Sequence, residues 1–562
     1  MQRSDNYWLR RKLNRRGFVM SSGAAVAGAA ALAAVGCGDD DDDDAGEPTK
    51  APAATTAAGG TTTTAPTTSA ARPAPAGTLK VAVSSLMDQS ADPFFQTGGL
   101  AQPVNTHAFE SFFRVNDDGQ REQNLAESFE VSGDRLTMTF KMRKNVKFWD
   151  GTVMTAKDAA FSFNAYINRT PPNPSAAILK GLVESATAID DTLFAVKFKK
   201  PTAFEGREIT WFNITSQAYY EKVGADAFKE MGMGTGPFKI TKNEKGQYME
   251  MEANEAHWRA ARVPLVKTLR LNIVPELQTR IAQLKTGEAD ITEGVTGATA
   301  QSLQNEKGIK IVTSPATALL KITFVEYQAG TAPWTDKRFR EALTISINQE
   351  GLASGLLKQG KPSPNALLWP KTVGYSDADF PLRKYDPARA KALIKEAGLE
   401  GFAFDVHAYS SSSYPLISET AAAIAGFYTD LGLKPKIVQE EAGGYFTSYT
   451  SRKLLGVAPI SFPFQPDARL IAFQYLSDKS PYGNTDGNTE IADLVAKMVA
   501  STNNEEQINY AKQIHKVVYN DFYFGTAPWS DSQWATRDNV TAWIRPAGDP
   551  YMTRLESVAL KA

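Results

Sequence analysis

The sequence predicts an α/β protein of two or three domains, and three observations carry that expectation. From Gly77 onward, segments alternating apolar and polar residues with a period of two interleave with segments of helical period. The helical segments bring capping residues of their own. At 562 residues the chain also exceeds what one hydrophobic core usually serves.

The first 37 residues stand outside that fold as a targeting segment. Arg10, Arg11, Lys12, Arg15 and Arg16 make a basic start, followed by an Ala- and Gly-rich apolar run from Phe18 to Gly36. Arg15-Arg16-Gly17-Phe18-Val19 resembles the twin-arginine export motif, carried by Arg15, Arg16 and Phe18, a route that exports folded proteins. The run closes on Ala34-Val35-Gly36-Cys37, which resembles a lipobox with Ala where Leu is usual. Lipidation would make Cys37 the mature N-terminus, and two or three acyl chains anchor stably where one is marginal. An ordinary cleaved signal peptide or an uncleaved helical anchor is the alternative.

Residues 38–76 hold the acid run Asp39 to Asp44, then a Thr/Ala/Pro/Gly mixture almost without large apolar side chains. Such a segment buries too little surface to offset its ordering entropy, so a disordered tether is expected. At 5–6 Å × √n its reach is roughly 35 Å.

In the folded part, Thr78 to Val83 reads as the first strand. Leu136, Met138, Phe140 and Met142 alternate with Thr137, Thr139, Lys141 and Arg143, a strand with one buried face. Asp150-Gly151 supplies a turn, and Thr155 with Asp158 has capping-box spacing at a helix start. Gly234-Thr235-Gly236-Pro237 reads as a turn that larger residues would strain. Asp336 is a candidate cap for the next helix. Asp386-Pro387 opens another, with Ala390, Leu393, Ile394 and Ala397 as its apolar face and Gly398 at its end. Ile491, Leu494, Val495 and Met498 mark a further helix, capped by Thr489.

Lys plus Arg (61) nearly balance Asp plus Glu (62), so no net field favours nucleic acid. With Cys37 the single cysteine, neither an intrachain disulfide nor a thiolate metal cluster can form. His107, His257, His407 and His515 lie far apart without metal-ligand spacing, so no metal and no cofactor are expected. Gly355 to Lys361 fits the GxxxxGK part of a phosphate loop, but Pro362 stands where a Ser or Thr must ligate magnesium. No GxSxG elbow appears, and no carboxylate pair is singled out for hydrolysis.

The stretch Leu125 to Tyr166, LAESFEVSGDRLTMTFKMRKNVKFWDGTVMTAKDAAFSFNAY, resembles the signature of the family 5 extracellular solute-binding proteins, the dipeptide, oligopeptide and nickel receptors of ABC importers. Ala91-Asp92-Pro93, Glu110 to Phe113, Gly234 to Lys239 and Pro333 to Glu350 resemble further family segments. The resemblance implies a periplasmic-binding-protein-like fold of type II (family 5, cluster C) with two lobes and an extra inserted domain. It divides the chain into domain I (77–120, 234–325 and 526–562), domain II (121–233) and domain III (326–525). It further implies a non-enzymatic, monomeric receptor outside the cytoplasmic membrane. Such a receptor closes on a peptide or peptide-like solute between domains I and III and passes it to an ABC permease driven by an ATPase. An oligosaccharide, metal-chelate or opine-like ligand is the alternative, as is an exported hydrolase, chaperone or signalling co-receptor on the same fold.

In peptide-binding relatives a segment like gWxaDYPDPdnfl carries an aspartate that pairs with the peptide's α-ammonium. Anchoring Gly456 to Arg469 on Pro466-Asp467 puts Phe462 at that place, with Ser461 beside it. A buried ammonium without an acceptor costs several kcal/mol, so free peptides become less favoured ligands. Ser461, Phe462, Phe464, Gln465 and Asp467 are the resulting candidates for the ligand site, as is Glu326, where the family commonly carries Asn. Trp334 and Trp369 are further candidates for the cleft wall.

Overall fold

The computed structural model describes residues 73–561, apart from 87–88, 95–101, 118–120, 170–178, 202–208, 210–211, 326–330, 410–413, 415, 478–479, 481, 484, 486, 547–548 and 550. The export motif, Cys37, nearly all of the tether and Glu326 lie outside the described residues.

One ten-stranded sheet runs through the protein. Its order is Phe238–Glu244, Tyr248–Ala253, Thr268–Ile273, Thr78–Val83, Ile291–Glu293, Phe524–Arg537, Ile309–Phe324, Val457–Pro463, Ala403–Ala408, Lys434–Gln439. The two long antiparallel strands at its centre belong to both lobes. Ile309 to Ser314 pair with Arg537 to Ser532, and Trp534 to Thr536 continue the sheet to Ile291–Glu293. Beyond a register shift, Ala318 to Phe324 pair with Val457–Pro463.

The irregular segment between these halves has a local cause. Pro315 has no N–H to give the ladder, and Ala316 takes a positive φ of 52°. Its amide donates to Asp531 Oδ1 (2.9 Å) instead of a strand partner, and Thr317 Oγ1 donates to the Ser530 carbonyl (3.2 Å). The two halves of the sheet therefore share two strands through one side-chain-held bulge.

The inserted domain is a four-stranded antiparallel sheet, Ala126–Val131, Thr137–Met142, Leu193–Phe198 and Val183–Ala188, covered by the helix Ala156–Asn168. The family-signature stretch builds it. Met138, Phe140 and Met142 are buried as the alternation requires, and Phe140 stacks on Phe194. Thr155 and Asp158 form the expected capping box. Separate hydrophobic cores fill this domain, the first lobe around Leu79, Val81 and Leu269, and the second lobe around Leu320, Trp334 and Phe404.

Caps at Asp336 and Asp386 hold as the sequence indicates, each side chain accepting an amide of the first turn. The helix Thr489–Ala500 differs, because Asn488 rather than Thr489 is its cap, accepting from the Ile491 amide at 2.8 Å. Asparagine is at least as good a cap as threonine, and it stands one residue earlier. At Gly236 the reason for glycine is close packing rather than a special φ: a Cβ there would lie 2.5 Å from the His107 carbonyl oxygen.

Candidate functional site

The strand Val457–Pro463 borders the two shared strands in the second lobe, and it divides the predicted site residues. Successive side chains of a strand point to opposite faces. Phe462 pairs directly with Leu319 and shares its face, whereas Ser461 pairs with Leu320 on the other. One surface therefore does not carry both, contrary to the expectation of a shared lining. The Ser461 amide donates to Tyr409 Oη (3.2 Å), and its own hydroxyl is buried without a hydrogen-bond partner among the described residues.

Phe462 is 4% exposed and sits at one corner of an aromatic triangle. Its ring centroid is 4.5 Å from Tyr475 and 5.8 Å from Tyr482, and those two are 5.8 Å apart. Gln465 joins the cluster, its Nε2 3.5 Å from Tyr475 Oη. Burial pushes the Tyr475 phenol above its ordinary pKa, and Tyr482 and Tyr551 add to the shift. Tyr551 belongs to the C-terminal segment whose neighbours Met552 and Leu555 lie in the first-lobe core.

Lys321 completes this wall. It lies two residues beyond Leu319 on the same face of the shared strand, is 0% exposed, and donates to the Tyr482 carbonyl at 3.0 Å. Its ammonium lies 5.1 Å from the Phe524 ring centroid. Thr323, next on that face, exchanges a 2.8 Å hydrogen bond with Tyr449 Oη. Sequence reasoning missed Lys321, Tyr475, Tyr482 and Tyr551. A lysine inside an otherwise apolar strand run, ALLKITF, was the available signal for the first.

The remaining candidates are engaged elsewhere. Asp467 caps the short helix Ala468–Ile471 and pairs with Arg469, at 2.9 Å to Nε and 2.6 Å to Nη2. Phe464 meets Trp369 edge-on with centroids 6.4 Å apart, and Trp369 is completely buried. Trp334 is core as well, packed against Phe339 and Phe404. The phosphate-loop-like segment continues a helical turn, Leu352–Leu357, with no strand leading into it.

A second polar cluster is buried in the first lobe. Glu110 accepts from Arg262 Nη1 (2.9 Å), Trp258 Nε1 (2.6 Å) and Thr235 Oγ1 (3.0 Å), and Arg262 Nε also donates to Glu556 (2.8 Å). Burial alone would push both carboxyls up. At Glu110 the charge and hydrogen bond of His257, with Arg262, outweigh it and hold the group at about 2. At Glu556, Arg262 and His107 do the same, also to about 2. Through these bonds the cluster ties the C-terminal segment to residues 107–110 and 257–262. Among the described residues no group of His, Cys, Asp and Glu could hold a metal ion.

Two lobes sharing a pair of strands, with a side domain inserted in the first, define an extracellular solute-binding protein fold, and solved structures agree. Similarity extends to HbpA2 from Haemophilus parasuis (TM-score 0.72, 20% identity, 86% of this chain and 100% of that one). It extends also to the oligopeptide-binding protein AppA from Bacillus subtilis (TM-score 0.71, 18% identity, 87% and 100%). The model of the bacterial extracellular solute-binding proteins, family 5, matches residues 120–466, and the chain belongs to that family.

Among curated relatives, the dipeptide-binding protein of Escherichia coli K12 is 28% identical over 351 residues, 57% of this chain and 64% of that protein's length. Heme-binding protein A of Haemophilus influenzae is 27% identical over 443 residues, 73% of this chain and 78% of that protein. The family consists of binding proteins of ABC importers, working outside the cytoplasm.

Proposed function

We propose that the chain is the solute receptor of an ABC importer: domains I and III close on a peptide-like solute, which is then delivered to a permease powered by its ATPase. The observation that carries this reading is the pair of long strands common to both lobes, interrupted at Pro315–Thr317 opposite Asp531. A hinge needs a few residues that absorb a backbone change while the flanking sheets stay rigid, and this bulge offers them. Domain interfaces also bury most of a small ligand at once. In this reading the domains follow the division 77–120 with 234–325 and 526–562, 121–233, and 326–525, with hinge bending inside the shared strands. No chemistry is performed on the solute, and the receptor works as a monomer.

Relatives bind dipeptides, glutathione and heme by name, so membership alone leaves the ligand open. Phe462, where peptide receptors place an aspartate, favours a solute without a free α-ammonium at that end. The cleft lining of this proposal is Phe462 and Gln465 with Tyr475, Tyr482 and Lys321. Native mass spectrometry of the protein purified from its host without refolding identifies what the cleft retains. Small-angle scattering with and without that solute reads the closure; a receptor shows a retained solute and a smaller radius when loaded, and loss of both ends this reading.

Export and anchoring belong to the same proposal. Arg15 and Arg16 direct twin-arginine export, and diacylglycerol on Cys37 holds the receptor at the outer face of the cytoplasmic membrane. Cys37→Ser is expected to release it from the membrane fraction, and Arg15→Lys with Arg16→Lys to retain it in the cytoplasm. A Cys37→Ser protein that stays membrane-bound argues for an uncleaved helical anchor.

A further inference from the structure

A cavity of about 500 Å³ opens at the seam between the inserted domain and the first lobe, and none of its lining residues belongs to the shared strands. Glu127 and Lys141 come from neighbouring strands of the inserted domain, and Arg143, Lys144 and Asn145 from the turn that follows Lys141. Trp258 comes from the segment after Tyr248–Ala253. The volume is that of a small-molecule site.

Two of the three cations in this lining are unspent. Arg143 is fixed in place: its Nε donates to the Asn124 carbonyl at 2.7 Å, and its guanidinium carbon lies 5.1 Å from the Trp258 ring centroid. Trp258 is itself held through Nε1 by Glu110 at 2.6 Å. Both terminal nitrogens of Arg143 remain without an acceptor among the described residues, as do the Lys144 ammonium and the Asn145 amide.

The one carboxylate in the lining is taken. Glu127 is bound by Lys141 at 3.1 Å; that hydrogen bond and charge hold its carboxyl below the usual range, and Arg143 and Lys144 add to the effect. Asp190 is held low chiefly by hydrogen bonds from Thr192 and Leu193, with Lys144 a smaller influence, and so is committed to its own hairpin turn. Three cations and one anion leave the cavity with two positive charges in excess, in a chain whose charges nearly balance.

A phosphomonoester matches this set, with close to two negative charges at pH 7 and three acceptor oxygens. The Arg143 fork, the Lys144 ammonium and the Asn145 amide supply three donor groups and two unpaired charges. A carboxylate or a sulfate ester brings only one charge. We propose that this seam cavity is a second binding site, taking a small soluble phosphomonoester whose phosphate is received by Arg143, Lys144 and Asn145 and whose organic body rests against Trp258. The site goes beyond the receptor reading and does not depend on it. Because its walls come from both the inserted domain and the first lobe, a bound ester ties the two together and stabilises the fold by mass action.

Phenyl phosphate, phenyl sulfate and inorganic phosphate are the probes, titrated calorimetrically into the full chain. Phenyl phosphate is expected to bind at least tenfold more tightly than phenyl sulfate, which has the same ring and about half the charge, and than inorganic phosphate, which has no body. Lys144 is exposed, so Lys144→Ala should spare the fold while removing most of the preference for phosphate over sulfate, and Lys144→Arg should restore it. Glu127→Gln removes the opposing charge and should tighten phenyl phosphate several-fold, a gain that damage to the fold does not produce. Phenyl phosphate should also raise the Tm of the unaltered protein and leave that of Lys144→Ala unchanged.

Equal affinity for the two esters, an undiminished preference in Lys144→Ala, or no binding of phenyl phosphate overturns the assignment. Inorganic phosphate binding as tightly as phenyl phosphate overturns the ester class, because the Trp258 wall would then contribute nothing. Phosphatidic acid presents the same group from a bilayer; pelleting of the Cys37→Ser chain with phosphatidic acid vesicles, without binding of phenyl phosphate, places the group on a lipid and overturns the soluble ester. The receptor reading keeps its separate readouts, the retained solute and the scattering change.

Discussion

The Asp467 carboxylate is held by the Arg469 guanidinium at 2.6 Å and 2.9 Å while also capping the helix that Arg469 begins to turn. Arg469 in turn donates to Asn504 and to Gln507 (3.2 Å) on the long C-terminal helix Asn504–Asn520. The acid is thereby spent on joining two helices. Asp467→Ala leaves a buried guanidinium without its partner, which costs about 3–5 kcal/mol. Urea denaturation should show that loss, with solute affinity per folded molecule unchanged. A selective loss of affinity at unchanged stability would return Asp467 to the ligand site.

Acid should destabilise the protein in two stages. Burial holds His107 and His515 at about 4, below the ordinary 6.5, so both are neutral in the fold. His107 donates from Nδ1 to the Pro103 carbonyl and accepts the Leu555 amide at Nε2, an arrangement that a second proton would break. The unfolded chain takes up these protons first, so stability falls as pH drops from 6.5 toward 4, by on the order of a few kcal/mol per histidine. Glu110 and Glu556, held at about 2, are depressed carboxyls. Their contribution is complete above the usual 4.5 and is lost between there and 2. Chemical denaturation at successive pH values should resolve both limbs; His515→Gln should flatten the upper limb and leave the lower one.

Gly236→Ala tests the packing between the strand return and residues 107–108. The added methyl would stand against the backbone of His107 and Ala108, which cannot yield as a flexible side chain would. Overpacking of this kind costs about 1–3 kcal/mol or more. A shift of the denaturation midpoint reads it directly, and an unchanged midpoint would mean the 107–109 segment is free to move.

Asp531→Ala removes the acceptor of the Ala316 amide at the bulge between the lobes. A buried donor left without its acceptor costs about 1–3 kcal/mol, and this half-buried one is expected at or below the lower end. The larger effect is expected on geometry, with a broader distribution of lobe separations in solution scattering and weaker solute binding. If the distribution stays as narrow as in the unaltered protein, the flanking ladder alone fixes the lobe angle.

Much of the fold was legible locally. The alternation at Met138, Phe140 and Met142, the Thr155–Asp158 box and the caps at Asp336 and Asp386 depend on neighbours a few residues away, and they stand as written. The cap at Asn488 and the reason for Gly236 did not follow as simply. One is a choice between adjacent polar residues; the other depends on carbonyls about 130 residues distant in the chain.

What the sequence alone determined is the family, through the long signature from Leu125 to Tyr166, and the departure at Phe462. Tertiary structure decided the meaning of that departure. Period-two geometry separated Ser461 from Phe462, helix capping engaged Asp467 with Arg469, and packing brought Tyr475 and Tyr482 against the Phe462 ring. Strand period and caps are short-range properties of the chain. The aromatic cluster around Phe462, and the pairing of Phe462 with Leu319 more than a hundred positions away, form only when the chain packs.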